Sequence, residues 1–117
     1  MTHLIQLDLS IPAVRYAVET CEDNHNYYFG IIVSDDKPII SVLDVCLDFV
    51  DWMKYDPQHT VVKDDSAVFH LKNGSKIDIV RESDTRRSLR WHACLVDRNV
   101  DKKSLHKTIA NLVWQYK

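Results

Sequence analysis

Four arginines fall within ten residues, Arg81, Arg86, Arg87 and Arg90, and Trp91 directly follows the last of them. A guanidinium group presents a planar fork of donors that grips a phosphate through two hydrogen bonds, and an indole can stack on a base or on an arginine. The cluster therefore predicts contact with a nucleic-acid backbone or with an acidic protein surface. Lys102, Lys103 and Lys107 extend the positive charge, and the first two stand where a helix should begin, against its dipole. The competing reading is a solvated loop whose arginines are neutralised by Glu82, Asp84 and the acidic face of an earlier helix.

Carboxylates offer a second chemistry. Asp35, Asp36, Asp97 and Asp101 follow apolar runs that read as strands, so they could converge at one edge of a sheet and hold one or two Mg²⁺ ions, as a nuclease does. Asp35, Asp36 and Asp101 also suit the simpler task of capping helices. His92 and Cys94 are two potential ligands on one strand face, but a zinc site needs four and no Cys-x-x-Cys supplies the rest. The three cysteines, Cys21, Cys46 and Cys94, lie far apart on apolar faces; they predict buried thiols and a reducing compartment, with no nucleophile among them. No G-x-S-x-G elbow is present. No catalytic residue and no cofactor is expected.

These residues must be positioned by a chain that reads β-α-β-α-(β)-β-hairpin-β-α. Alternation over Thr2–Leu9 predicts a half-exposed edge strand. Ser10 and Pro12 suit a helix start, and Val14, Ala17, Val18 and Cys21 mark one stripe of a helix over 11–23. Tyr27–Val33 is a continuous apolar run, as expected of a central parallel strand covered on both faces. Asp35 or Asp36 is the expected cap of a second helix, with Pro38 in its first turn and apolar residues from Ile39 to Met53. Asp44, Asp48 and Asp51 form its polar strip, a solvent face that could also mimic DNA or meet a basic partner.

Thr60–Lys63 predicts a short strand. Ala67–Lys72 and Ser75–Val80 flank Asn73-Gly74, a strong hairpin signal that favours a type I′ turn with positive φ at both central residues. Arg81–Arg90 reads as a loop, Trp91–Val96 as a buried strand, and Leu105, Ile109, Leu112 and Val113 as the stripe of a last helix. The fold class is α/β: a layered, mainly parallel sheet of about five strands with one β-hairpin and helices packed on it. Ligands of such sheets sit beyond the carboxyl ends of the strands.

With 117 residues the chain is expected to form a single domain spanning 1–117. Val, Leu, Ile and Phe supply 35 residues, enough to exclude global disorder. No apolar run is long enough to span a membrane, and MTHLIQLDLS lacks the basic start of a secretory signal, so a cytoplasmic protein is expected. The net charge of −2 conceals a strong asymmetry: residues 1–71 carry 4 Lys and Arg against 12 Asp and Glu, a balance of −8, whereas residues 72–117 carry 11 against 5, a balance of +6. Such polarity suits nucleic-acid binding, an acidic partner, or a homodimer joined by opposite charges.

An apolar strand, the hairpin phrase FHLKNGSKIDIV, the loop RRSLRW and an apolar strand closing on Asp97 resemble the core of RecA-like P-loop ATPases, phage terminase large subunits and related helicases in particular. The resemblance spans roughly residues 29–110 and implies a phage- or mobile-element-like protein in which Asp97 matches the acidic position that helps hold Mg²⁺. The departures are as informative. A P-loop needs G-x-x-x-x-G-K-[ST] to cradle phosphates, and the two glycines, Gly30 and Gly74, are neither spaced for it nor followed by lysine. Arg98 replaces the water-polarising glutamate, and Ser88 stands nearest the missing loop glycine. What the resemblance implies is an ATPase-like fold without ATPase chemistry: a non-enzymatic binding protein. The rivals are a protein-interaction or inhibitor role and a Mg²⁺-dependent nuclease.

Overall fold

A computed structural model describes residues 3–6, for the backbone alone, and residues 11–34, 38–81 and 91–97. The elements run β1 (His3–Gln6), α1 (Ile11–Asp23), β2 (Tyr28–Val33), α2 (Ile39–Phe49), β3 (Val61–Val62), β4 (Ser66–His70), β5 (Lys76–Arg81) and β6 (Ala93–Val96). They build an α/β layer of two helices on one mixed sheet, ordered β1-β6-β2-β5-β4-β3. The pairs β1–β6, β6–β2 and β2–β5 are parallel, and β5–β4 and β4–β3 are antiparallel. The described residues form six strands where about five were expected. No helix among the described residues is long and apolar enough to cross a membrane. The last helix expected from the sequence lies outside the described residues.

The apolar stripe of α1 behaves as its spacing predicts: Val14, Ala17, Val18 and Cys21 are all buried. They pack with Val42, Leu43 and Cys46 of α2 on one face of the sheet, against Phe29, Ile31 and Val33 of β2 and Ile77 and Ile79 of β5. Each valine, leucine, isoleucine or phenylalanine among them contributes about 1.5–3 kcal/mol when it leaves water. Side chains alternate across a strand, so Ile32, Val80, Cys94 and Val96 point the other way and form a second buried cluster with Trp91. Burial on both faces explains the unbroken apolar run of β2. All three cysteines are free and buried.

The second helix departs from expectation at both ends. Pro38 occupies its N-cap position and no side chain caps it, so the expected capping by Asp35 or Asp36 is not how α2 starts; both residues lie outside the described set. The helix stops at Phe49 rather than near Met53. Val50 is extended, and the next amide, of Asp51, donates to Glu22 Oε2 at 2.9 Å. Asp51 then organises a tight turn, its carbonyl accepting from the amides of Lys54 at 2.8 Å and Tyr55 at 3.1 Å.

The hairpin is where it was expected, but its turn is of another type. Only Gly74 has positive φ, at 85°; Asn73 does not. The Gly74 amide donates to the Leu71 carbonyl at 3.2 Å and the Leu71 amide to the Ser75 carbonyl at 3.0 Å. This is a type I turn closed by a left-handed glycine, in place of type I′. The reason is tertiary. Asn73 Nδ2 donates to the Cys21 carbonyl at 2.8 Å, with Glu22 and Asn24 carbonyls close by, while its Oδ1 accepts from the Ser75 amide at 2.9 Å. One side chain turns the hairpin and satisfies the last turn of α1, whose carbonyls have no partners within the helix. The Ser75 hydroxyl completes the join by donating to the Asn24 carbonyl and accepting from the Tyr27 amide.

Candidate functional site

Strands β2, β5 and β6 run parallel, so their carboxyl ends share one edge of the sheet, where Val33 is level with Arg81 and Ile32 with Val96. Ser34, Arg81 and Asp97 therefore stand at the place where ligands of α/β sheets collect. Asp97 is fully buried. Its Oδ2 accepts from the Ser34 hydroxyl at 3.1 Å and lies 3.5 Å from the Ser34 amide, while its own amide donates to the Ile32 carbonyl at 2.9 Å. The carboxylate thus ties the ends of β2 and β6 together. Asp35, Asp36 and Asp101, its expected companions at a Mg²⁺ site, lie outside the described residues. Among the described residues no three His, Cys, Asp or Glu side chains are placed to hold a metal ion.

Arg81 ends β5 and opens onto a shallow cleft of about 350 Å³, bordered by Pro38 and Ile40 at the start of α2 and by Val62, Lys63 and Asp64. Two cationic side chains and the positive end of a helix dipole thus meet at one depression. Opposing them are Asp64 and Asp65; the Arg81 Nε lies 3.8 Å from an Asp65 carboxylate oxygen. That carboxylate is exposed, so the attraction is weakened by solvent. Lys63 was not expected here. In the sequence it ends the expected short strand Thr60–Lys63 and borders two aspartates; the pairing of β3 with β4 brings it to the same cleft as Arg81.

Of the other residues expected to bind, Arg86, Arg87, Arg90, Lys102, Lys103 and Lys107 lie outside the described residues. Trp91 is described and is 1% exposed, so it offers no face for a base. The expected stacking role is corrected: Trp91 belongs to the core. Its indole lies directly on Gly30, where a Cβ would come within 2.0 Å of the ring, and its Nε1 donates to the buried Asp78 Oδ2 at 2.8 Å. A glycine inside a strand marks a close approach, here by an aromatic ring. Asp78 and Gly30 give no sign of this role in the sequence, being 13 and 61 positions from Trp91.

The opposite edge of the sheet holds a group of rings, with the Lys76 ammonium 5.0 Å over that of Tyr28. His92 Nδ1 accepts from the Tyr28 amide at 3.0 Å, which leaves the proton of the neutral ring on Nε2, and the ring stacks on Tyr27 at 5.0 Å. This bond replaces the metal-ligand reading of His92. Burial lowers the His92 pKa. It also lowers that of His70, where Lys76 pushes the same way against Asp56 and Asp78. Near pH 6 the native state then binds fewer protons than the unfolded chain, so this stabilisation is present above the ordinary histidine pKa of about 6.5 and is lost as pH falls below it. The urea midpoint is expected to drop between pH 8 and pH 5.5, and to drop less in a His70→Gln, His92→Gln double variant.

Compared with protein-family models, curated proteins and solved structures, the chain matches none.

Proposed function

We propose that this protein is a non-enzymatic binding protein that holds a nucleic-acid backbone through the arginine-rich segment beginning at Arg81. The observation that carries the reading is the place of Arg81: it ends a central strand, parallel to β2 and antiparallel to β4, and shares a cleft with Lys63 and the amino end of α2. The next three arginines of the cluster follow within nine residues, in the half of the chain that carries the excess positive charge.

The reading keeps the ATPase-like resemblance but without nucleotide chemistry. Both glycines have structural duties, Gly30 beneath an indole and Gly74 at positive φ in a turn, which supports a fold with no phosphate-cradling loop. The Asp97 carboxylate is engaged with Ser34, in keeping with a tie between strands.

The test is binding of a labelled duplex and a labelled single strand by fluorescence anisotropy across a salt series. If three or four phosphates are contacted, affinity falls roughly 20- to 150-fold between 50 and 200 mM salt. An Arg81→Gln variant binds more weakly on every sequence and with a salt slope shallower by about one. Absence of binding at low salt eliminates the nucleic-acid reading and leaves an acidic protein as the partner. Mg²⁺-dependent cleavage that is lost in Asp97→Asn would replace the proposal with a nuclease.

A further inference from the structure

The two most exposed large apolar side chains among the described residues are neighbours in the chain. Trp52 is 66% exposed and Met53 80% exposed, side by side in the turn that follows α2. Of the other exposed apolar residues among those described, Ile40 and Val62 border the cleft already described, Val61 precedes Val62 on the two-residue β3, Tyr16 packs an edge inward on Phe29, and Ile11 opens α1. Tryptophan and methionine are enriched at the centres of protein interfaces, and a few such side chains supply most of the binding energy.

The turn holds them rigidly. Asp51 Oδ1 accepts from the Met53 amide at 3.0 Å, and the Asp51 amide is tied to Glu22 of α1. Trp52 meets Tyr55 edge-on at 5.3 Å and 82°, and Tyr55 stacks on the buried Phe69 at 5.0 Å and 17°. The backbone of the turn and the Trp52 ring therefore lose little freedom when a partner covers them.

Charge selects the partner. Asp44 and Asp48 are exposed along α2, Asp51 precedes the pair, and Glu22 and Asp23 close α1 beside it; Lys54 and Lys72 are the neighbouring ammonium groups, and the Arg15 guanidinium over Phe49 is paired with Glu19. Five carboxylates against two ammonium groups repel nucleic acid and anionic lipid and favour a cation. We propose that the Trp52–Met53 turn is the anchor of a second interaction surface, which takes a lysine- or arginine-rich segment of a partner protein that also carries an apolar side chain. This surface has the opposite sign to the arginine-rich one and does not depend on it.

The test uses the full chain and a short fluorescein-labelled peptide of lysines interrupted by leucines, with all-lysine and glutamate–leucine peptides as controls, read by anisotropy. The lysine–leucine peptide is expected to bind, to lose affinity at least about tenfold on Trp52→Ala, and to weaken in high salt and on joint Asp44→Asn and Asp48→Asn replacement. Arg81→Gln should leave its affinity unchanged, which separates this surface from the proposed nucleic-acid site. Because Trp52 is exposed, the Trp52→Ala chain should keep its urea midpoint. The proposal is overturned if the peptide does not bind, if Trp52→Ala binds it equally well, or if the all-lysine peptide binds as tightly. Sedimentation equilibrium covers the remaining occupant: a doubled mass that Trp52→Ala returns to monomer would make the partner a second copy and overturn the basic segment.

Discussion

Replacing Gly30 by alanine is expected to destabilise the fold by about 4 kcal/mol, although it adds a single methyl group. Overpacking a core costs about 1–3 kcal/mol when neighbours can adjust. Here the neighbour is the body of a buried indole, which must retreat by more than 1 Å from the 2.0 Å approach. As it retreats, Trp91 Nε1 leaves Asp78, and a buried carboxylate deprived of its donor adds about 1–3 kcal/mol. For a domain of this size the total is a large share of the usual stability of about 5–15 kcal/mol. The melting temperature should fall by roughly 15 °C. The clash can be isolated with Trp91→Leu: if the steric account holds, Gly30→Ala is much less damaging in that background than in the parent chain. Additive losses in the double variant would mean that Gly30 matters for some other reason.

Phe69→Ala is the second large effect, expected at about 3–5 kcal/mol by urea denaturation. Phe69 is fully buried on β4, within the core that joins both helices to the sheet. Its ring also supports Tyr55, on which Trp52 rests. The variant should therefore show a second change at low temperature, where it is still folded: affinity for the lysine–leucine peptide should fall although no residue on the exposed surface has been altered. A loss of stability with peptide affinity intact would mean that the turn is held by its Asp51 hydrogen bonds alone.

Local pattern made much of this fold legible. The extent of α1 followed from four apolar residues at helical spacing, and the buried parallel strand β2 from an uninterrupted apolar run. The hairpin followed from Asn73-Gly74, because few other residue pairs tolerate a tight reversal. Its turn type could not be read in the same way, since Asn73 answers to carbonyls some 50 residues away on α1. The start of α2 was misread for a similar reason of competition: two aspartates made attractive caps, but Pro38 lies closer to the first helical residue.

The candidate site was legible only as composition. Arginine density singled out the segment as a candidate, and only the parallel pairing of β5 with β2 puts Arg81 at the carboxyl edge, where the sequence read a loop residue. Neither could indicate Lys63, which arrives through the β3–β4 pairing. Trp91 was misassigned because adjacency to arginines in the chain says nothing of what lies beneath an indole after folding. The exposed Trp52–Met53 pair was hidden for the opposite reason. It continued the apolar pattern of α2, and only the termination of the helix at Phe49 turns it outward.

The join between the hairpin tip and α1 has a consequence for how the protein opens. The terminal carbonyls of α1 are held by Asn73, and the Tyr27 amide by Ser75. The helix end and the tip therefore cannot fray separately. Amide hydrogens of the last turn of α1 and of the β4–β5 reversal should exchange with solvent at matched rates, as a single unit of local unfolding. Because that unit links positions far apart along the chain, it closes only after a large loop has been formed, which places its assembly late in folding.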